Sequence, residues 1–463
     1  MTNTLFNRLG RTRHIHLVGI GGIGMSGIAE LLLNLGFKVS GSDIKRSSIT
    51  ERLSALGGII FYEHKRENIE GADVVVFSSA IREDNPELLA AKELFIPIIP
   101  RAEMLAELMR LKFGIAVAGA HGKTTTTCMI GFVLTKAGLD PTVVVGGRLR
   151  LWGGGNARLG KGDIMVAEAD ESDGSFMLLT PAISIITNID REHLDHYGHM
   201  DRLRGAFVDF ANKTPFYGLN VLCFDDPEVQ HIIPSIKKRY ITYGTSGQAE
   251  VKAVNIRTDG LRVIFDCQYM DISWKDISVG MPGRHNVLNA LATICVALEL
   301  QIPFDHIRDG LKDLGGLMRR FQIVTEKKGI TVIDDYAHHP TEIQATLRTV
   351  KECWPHRRII ACFQPHRFTR LKDLYERFVI SFNNADILIL TPLYSAGERP
   401  IDGVDSQWLY QGIREHGHRE VYLSSDMEEA LNFLKKALNR GDILITLGAG
   451  DIYKLGRRLS EEI

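Results

Sequence analysis

The stretch Gly114 to Thr127, GIAVAGAHGKTTTT, constrains this chain more than any other. Ile115 to Ala118 is a short apolar run, as a buried strand requires. Gly119, Ala120, His121 and Gly122 form a small-residue turn. Lys123 follows, then four threonines, then the apolar spacing of a helix at Met129, Ile130, Val133 and Leu134. Strand, glycine turn, Lys-Thr and helix form an arrangement that cradles a phosphate chain. Glycines let backbone N–H groups close on the oxygens, and the helix N-terminus adds positive potential. Lys123 is suited to neutralise β/γ-phosphates, and the Thr124 hydroxyl to ligate Mg2+. The loop departs from G-x-x-x-x-G-K-[ST], because Val117 stands five positions before Gly122. A plain strand-to-helix turn that contains a lysine is the competing explanation.

At 463 residues the chain is too long for one core and should split into about three domains. A net charge of −1 gives no reason to expect a general nucleic-acid or membrane surface. No apolar run reaches membrane-spanning length, and the N-terminus lacks the apolar stretch of a signal peptide. The six cysteines are scattered without a C-x-x-C pair, which fits reduced thiols and a cytoplasmic location.

His14 to Val18 is expected as a first strand, followed by Gly19-Ile-Gly21-Gly22-Ile23-Gly24 and an apolar helix. This fits G-x-G-x-x-G, which sets a pyrophosphate on a helix N-terminus, with a carboxylate such as Asp43 near a ribose. Alone, the motif suggests an NAD-dependent dehydrogenase, but any nucleotide diphosphate can use the same geometry. A dehydrogenase also leaves the Lys-Thr loop unexplained. Ser78 and Ser79 follow the strand Val74 to Phe77, where ligands of open α/β sheets bind; turn and cap roles fit them equally. A first domain closes near residue 112.

The strand from Ile164 runs into Glu168, Asp170, Glu171 and Asp173. Another from Ile183 runs into Thr187-Asn188-Ile-Asp190-Arg-Glu-His193. Acids beside a Lys-Thr loop supply oxygen ligands for a hard cation; taken singly, Asp170, Glu171, Asp173 and Asp190 are expected as solvated loop acids. Val251 to Met281 alternates, as antiparallel edge strands do. His285, Asn286 and Asn289 open a helix, where asparagine is commonly a cap and a ligand-facing role is the alternative. A third α/β unit begins near Leu317. Polar residues gather at its strand ends in Asp334-Asp335-Tyr336-Ala337-His338-His339, in Gln364-Pro365-His366-Arg367-Phe368-Thr369-Arg370 and in Gly448-Ala449-Gly450-Asp451. That is the pattern of a doubly wound sheet with its site along one edge.

HIHLVGIGGIGMSGIAE, GAHGKTTTT, EADESDGSF, TNIDREHLDHY, PGRHNVLNA, RRF, DDYAHHPTE, FQPHRFTR and GAGD together resemble the ATP-dependent Mur ligases over essentially the whole chain. Within them the closer likeness is to members that join L-alanine to UDP-N-acetylmuramate; members adding a peptide are the alternative. The resemblance implies three α/β domains. These are a Rossmann-like UDP-binding domain (1–112), a P-loop-type ATPase domain with a parallel sheet and antiparallel edge strands (113–316), and a Rossmann-like C-terminal domain (317–463).

For the sites it implies ATP contacts from Gly119, Ala120, His121, Gly122, Lys123, Thr124, Thr125, His285, Asn286, Asn289, Arg320 and Asp335. Mg2+ would be held by Thr124, Glu168 and His193. The UDP-sugar would meet Gly19, Gly21, Gly22, Ile23, Gly24, Asp43, Ser78 and Ser79. Tyr336, His338, Arg367 and Arg370 would receive the amino acid and the substrate carboxylate. Lys123, Glu168, His193, Arg320 and Asp335 would form the catalytic set. A monomer or homodimer is compatible with these features. Several related ligases carry a carbamylated lysine in the helix after the His193 motif; here that helix has Arg204, with Lys213 only at its end.

Overall fold

A computed structural model describes residues 9–78, 80–146, 157–315 and 317–463, without the side chains of Ile23 and Asp195. Ser79 therefore lies outside the described residues. The chain forms two compact units. The first comprises Met1–Val254, Cys267–Trp274 and Leu288–Leu311, and the second Asn255–Asp266, Lys275–Val287 and Lys312–Ile463.

The first unit contains a five-stranded parallel sheet in the order Ile59–Phe61, Lys38–Ser42, His14–Val18, Val74–Phe77 and Ile98–Pro100. His14–Val18 is buried at every position and central, as its unbroken apolar character requires. The strand order reverses beside it, so the Gly19–Gly24 loop emerges at a switch point of the sheet.

The same unit holds a run of seven strands. Their order is Tyr240–Gly244, Leu219–Cys223, Ile183–Ile186, Phe113–Ala118, Ile164–Glu168, Thr142–Val144 and Ala157–Arg158. All neighbours are parallel except the last pair, which is antiparallel. In the stretch expected as antiparallel edge strands, the first strand, Val251–Asp259, instead begins parallel to Tyr240–Gly244 through the pair Tyr243↔Val251. Glu168 is the last residue of its strand, one step earlier than a loop position.

The second unit carries a six-stranded sheet in the order Gln322–Lys327, Ile330–Asp335, Ile443–Leu447, Ile359–Phe363, Ile387–Leu390 and Val421–Leu423. Only its first pair is antiparallel. Ile443–Leu447 and Ile359–Phe363 are buried throughout, and helices on both faces cover them with separate apolar clusters. The six cysteines are free. Among the described residues no helix is long and apolar enough to cross a membrane.

Candidate active site

Two glycines permit the phosphate loop. Gly119 has φ +129°, and a Cβ there would lie 2.2 Å from Thr187 Oγ1. Gly122 has φ +83°, and its Cβ would meet Asn289 Oδ1 at 2.8 Å. Side chains are excluded at these points by strain and by space. The neighbouring strand end braces the loop. His121 N donates to Asn188 Oδ1 (2.8 Å), while the His121 carbonyl accepts from Thr187 Oγ1 (2.7 Å) and Asn188 Nδ2 (3.0 Å). Ala120 N donates to the Asn188 carbonyl, and His121 Nε2 lies 3.1 Å from Asp190 Oδ2.

The helix Lys123–Lys136 starts directly at Gly122, placing Lys123, Thr124 and Thr125 in its first turn. Lys123 Nζ donates to the carbonyls of Gly119 (2.6 Å) and Ala120 (3.3 Å) and to both oxygens of Glu171 (2.8 and 2.9 Å). Burial works against its charge, but the carboxylates of Glu171 and Asp170 outweigh burial and raise the ammonium above its ordinary value. Lys123 is therefore charged. Glu171 is not a solvated loop acid: only 2% of it is exposed. Asp170 departs from that expectation too. Burial opposes its ionisation, but Lys123 and Ser172 hold its carboxyl below the usual range.

Glu171, Glu192 and His193 each offer a ligand atom, all within 4.8 Å of one another. His193 has φ +57°, a strained conformation for a non-glycine residue that turns its ring at the start of the short helix Leu194–Tyr197. The Tyr197 hydroxyl donates to the Glu171 carbonyl at 2.6 Å, fixing the acidic turn. Glu168 stands on the adjoining strand end; a Cβ at Gly146 would lie 3.0 Å from its Oε2, so that glycine leaves the carboxylate room. Carboxylate oxygens with one imidazole suit a hard divalent cation. The resemblance assigns Thr124, Glu168 and His193 to the metal; the cluster sets Glu171 and Glu192 around His193. Arg204 is tied to Glu228 (2.5 and 3.0 Å) and Asp201 (2.7 Å), and Lys213 Nζ donates to the Met177 carbonyl.

At the first glycine loop, Gly19 N and Ile20 N donate to the Ser42 carbonyl (2.8 and 3.0 Å), and Gly21 N donates to Asp43 Oδ2 (2.9 Å). Gly22 is the N-cap of the helix Ile23–Asn34. Sequence logic reserves Gly21 for close approach of a diphosphate. In the fold, a Cβ at Gly21 would sit 2.7 Å from Asp43 Oδ2 and 3.1 Å from Thr50 Cγ2, so the carboxylate itself demands glycine. A Cβ at Gly24 would meet Arg101 Nη1 at 2.8 Å. Ser78 Oγ accepts from Ala80 N at 3.4 Å, a turn contact at the strand end. Asn289 Oδ1 accepts from the Thr126 hydroxyl (3.1 Å), linking its helix to the phosphate-loop helix within this unit.

In the second unit His285 is kept neutral. Burial and the nearby Arg320 guanidinium push it down to about 4. Asn286 Nδ2 donates to the Pro282 carbonyl at 2.6 Å. Asp335 accepts from Phe321 N and Ala337 N, both at 2.8 Å; burial raises its carboxyl to about 6 against the pull of Arg320. Arg320 lies 3.6 Å from Glu342 and over the Tyr336 ring at 5.3 Å. Arg319, unassigned from sequence, lies over the rings of Tyr336 (4.9 Å) and Tyr453 (4.7 Å), bonds Asp334 (3.2 Å) and donates to the carbonyls of Gly448 and Gly450. It ties the Arg319–Phe321 turn to the Gly448–Asp451 loop.

Tyr336, His338, His366 and Tyr394 form a continuous series of ring contacts. His338 Nδ1 lies 3.0 Å from the Tyr336 carbonyl. Burial, with His338, Arg370 and Arg367 close by, depresses His366 to about 3. It is neutral, and its Nδ1 accepts from Arg370 Nη1 at 3.2 Å. Arg367 and Arg370 do not share a helix face. The helix is Phe368–Asp373, and Arg367 precedes it as N-cap with φ +69°. Its acid neighbour is Glu398 at 3.9 Å, rather than Asp373 or Glu376. Glu398 also accepts from the Thr369 amide (3.1 Å) and hydroxyl (2.7 Å).

Three parallel-dominated sheets with a braced Lys-Thr loop at a strand end define a multi-sheet α/β protein built around a phosphate-type loop. The chain belongs to the Mur ligase family. Residues 14–113 match the Mur ligase family catalytic domain, 117–297 the middle domain and 319–450 the glutamate ligase domain. UDP-N-acetylmuramate–L-alanine ligase of Geobacter sulfurreducens is 55% identical over 448 residues, covering 96% of this chain and 97% of that protein. The enzyme of the same name from Geotalea daltonii is 55% identical, with coverage of 98% and 99%. Among solved structures, UDP-N-acetylmuramate-alanine ligase from Thermotoga maritima superposes with a TM-score of 0.81 at 31% identity, covering 98% of this chain and 99% of that one.

Proposed function

We propose that this chain is a cytoplasmic UDP-N-acetylmuramate–L-alanine ligase, using ATP to join L-alanine to the lactyl carboxylate of the sugar nucleotide. The identity to ligases of that name over nearly the whole chain carries this reading. It departs from the peptide-adding alternative, whose solved example from Psychrobacter arcticus is 23% identical at a TM-score of 0.69 and so shares the fold alone.

A carboxylate does not condense with an amine at neutral pH, because its oxygen leaves poorly. Attack of the lactyl carboxylate on the γ-phosphorus of ATP gives an acyl phosphate and ADP. The neutral amine of alanine then attacks the acyl carbon, and phosphate leaves from the tetrahedral intermediate. The phosphoryl step needs positioning and charge stabilisation. Lys123 supplies the fixed positive charge at the helix N-terminus. Thr124, Glu168 and His193, with Glu171 and Glu192 beside His193, are the groups to hold Mg2+, which when bound neutralises phosphoryl oxygens. His285, Asn286, Asn289, Arg320 and Asp335 retain the nucleotide roles that the resemblance assigns. Tyr336, His338, Arg367 and Arg370 receive the amino acid and the substrate carboxylate, and His338 stands among them as a base for the amine.

Incubating the protein with ATP, Mg2+, UDP-N-acetylmuramate and single amino acids, and following phosphate release, tests the reading. Release should depend on alanine; release only with a peptide would transfer the chain to the alternative. His193→Ala and Glu168→Ala should each raise the Mg2+ concentration for half-maximal rate by about tenfold, since each removes a ligand. An unchanged Mg2+ titration in both variants would return these residues to structural roles. In Gly21→Val the new side chain displaces Asp43, an overpacking cost that should weaken UDP-N-acetylmuramate binding by roughly tenfold. Calorimetry should find ATP affinity near the parent's; selective loss of ATP binding would mean that the two nucleotide sites are exchanged.

A further inference from the structure

Glu87, in the first turn of the helix Pro86–Glu93, is a charge outside the phosphate site with no exposed surface. The Ser42 hydroxyl donates to its Oε2 at 2.6 Å, and Asn68 Nδ2 donates to its Oε1 at 2.6 Å. His64 Nδ1 lies 3.0 Å from Oε2 and 2.9 Å from the Ser42 hydroxyl. His16 Nε2 lies 3.6 Å from Oε1. Burial pushes the Glu87 carboxyl up, but its neighbours His16, Ser42 and Asn68 outweigh burial and hold it below the usual range. An apolar residue would fill such a place at no desolvation cost.

The residue that Glu87 grips explains the charge. Ser42 ends its strand, and its carbonyl accepts the amides of Gly19 and Ile20. The next residue, Asp43, accepts the amide of Gly21. Three successive amides of the first glycine loop thus hang on Ser42 and Asp43, and the Ser42 side chain is fixed by Glu87. All the groups around the carboxylate face it as donors or as imidazole nitrogens, so a Gln would present an N–H2 where an acceptor is needed.

We infer that Glu87 is a positioning residue for the sugar-nucleotide site: acting through Ser42, it holds the Gly19–Gly24 loop in the geometry that receives a nucleoside diphosphate. This rests on the proposal that the loop binds the UDP moiety.

The test is a cycle of Glu87→Gln, Ser42→Ala and the double variant, with kcat and KM for each substrate, thermal melts, and calorimetric titration with UDP. Either single change should raise KM for UDP-N-acetylmuramate about tenfold, the usual scale of a lost buried hydrogen bond to a charged group. The values of KM for ATP and alanine should stay near the parent's. The double variant should be no worse than the poorer single, because the two residues act in series. Should Glu87→Gln fail to fold, Ser42→Ala alone decides, since it removes only the hydroxyl. Parental KM for the sugar nucleotide in the folded variants, or an equal rise in all three KM values, would overturn the inference. UDP titration separates it from the ligase reading. A parent that binds UDP more tightly than the variants but does not ligate loses the ligase function and keeps the role of Glu87. Ligation with unaltered UDP affinity in the variants does the reverse, and a parent that does not bind UDP overturns the role of Glu87.

Discussion

Lys123→Ala should lose ligation by about a thousandfold or more, the scale of removing a pre-placed charge from a phosphoryl-transfer site. The structure adds a second consequence. Lys123 neutralises a Glu171 that is 2% exposed. Removing one partner of a buried pair costs about 3–5 kcal/mol when the other stays charged. Burial already drives Glu171 towards its neutral form, and without Lys123 the main opposing charge is gone. The sign follows: a carboxyl raised in the folded state stabilises fully below its unfolded pKa and loses that contribution as pH rises through the folded value. The Tm deficit of Lys123→Ala should therefore be small in mild acid and grow towards neutral pH. Adding Glu171→Gln should recover most of the lost Tm and none of the ligation. Activity within tenfold of the parent for the single variant would refute the placement of the triphosphate.

The parts of this molecule visible in its sequence are those whose chemistry is local. Both glycine loops announce themselves, because a turn into a helix N-terminus needs small residues within a few positions of a buried strand. Apolar runs locate the strands, so Ile359–Phe363 and Ile443–Leu447 come with the polar clusters at their ends. The structure adds the partners. Lys123 and Glu171 are 48 residues apart, Ser42 and Glu87 are 45 apart, and Arg319 meets Gly448 across 129. No spacing rule marks such acids and arginines against the solvated ones, since a buried charge differs from an exposed one only by what the fold brings to it. Glu171 and Asp170 thus read as solvated acids in sequence, while the fold sets both beside Lys123. Gly21 shows the converse: the motif names the residue, while the fold shows that a carboxylate, Asp43, claims the space.

Arg367→Lys and Arg370→Lys should each lose at least about tenfold in kcat/KM for alanine or for the sugar nucleotide, although charge is conserved, because lysine cannot form the guanidinium fork. Arg367 is held in a left-handed backbone conformation that few non-glycine residues adopt, a strain sustained only where the surroundings fix it. Glu398 does the fixing, by binding the amide and hydroxyl of Thr369 two residues on. At 3.9 Å and partly exposed, its contact with Arg367 is worth little as a surface pair, about 0–1 kcal/mol. Arg370 is directed onto His366, whose neutral ring takes its N–H without cancelling its charge. Both guanidiniums stand beside the ring series of Tyr336, His338, His366 and Tyr394, where an arriving carboxylate can meet their N–H groups. Alanine at either position should cost about a hundredfold. Melting temperatures should stay near the parent's in all four variants, since neither arginine anchors a core. Parental kinetics for both substrates in both lysine variants would reduce Arg367 and Arg370 to the loop contacts with Glu398 and His366.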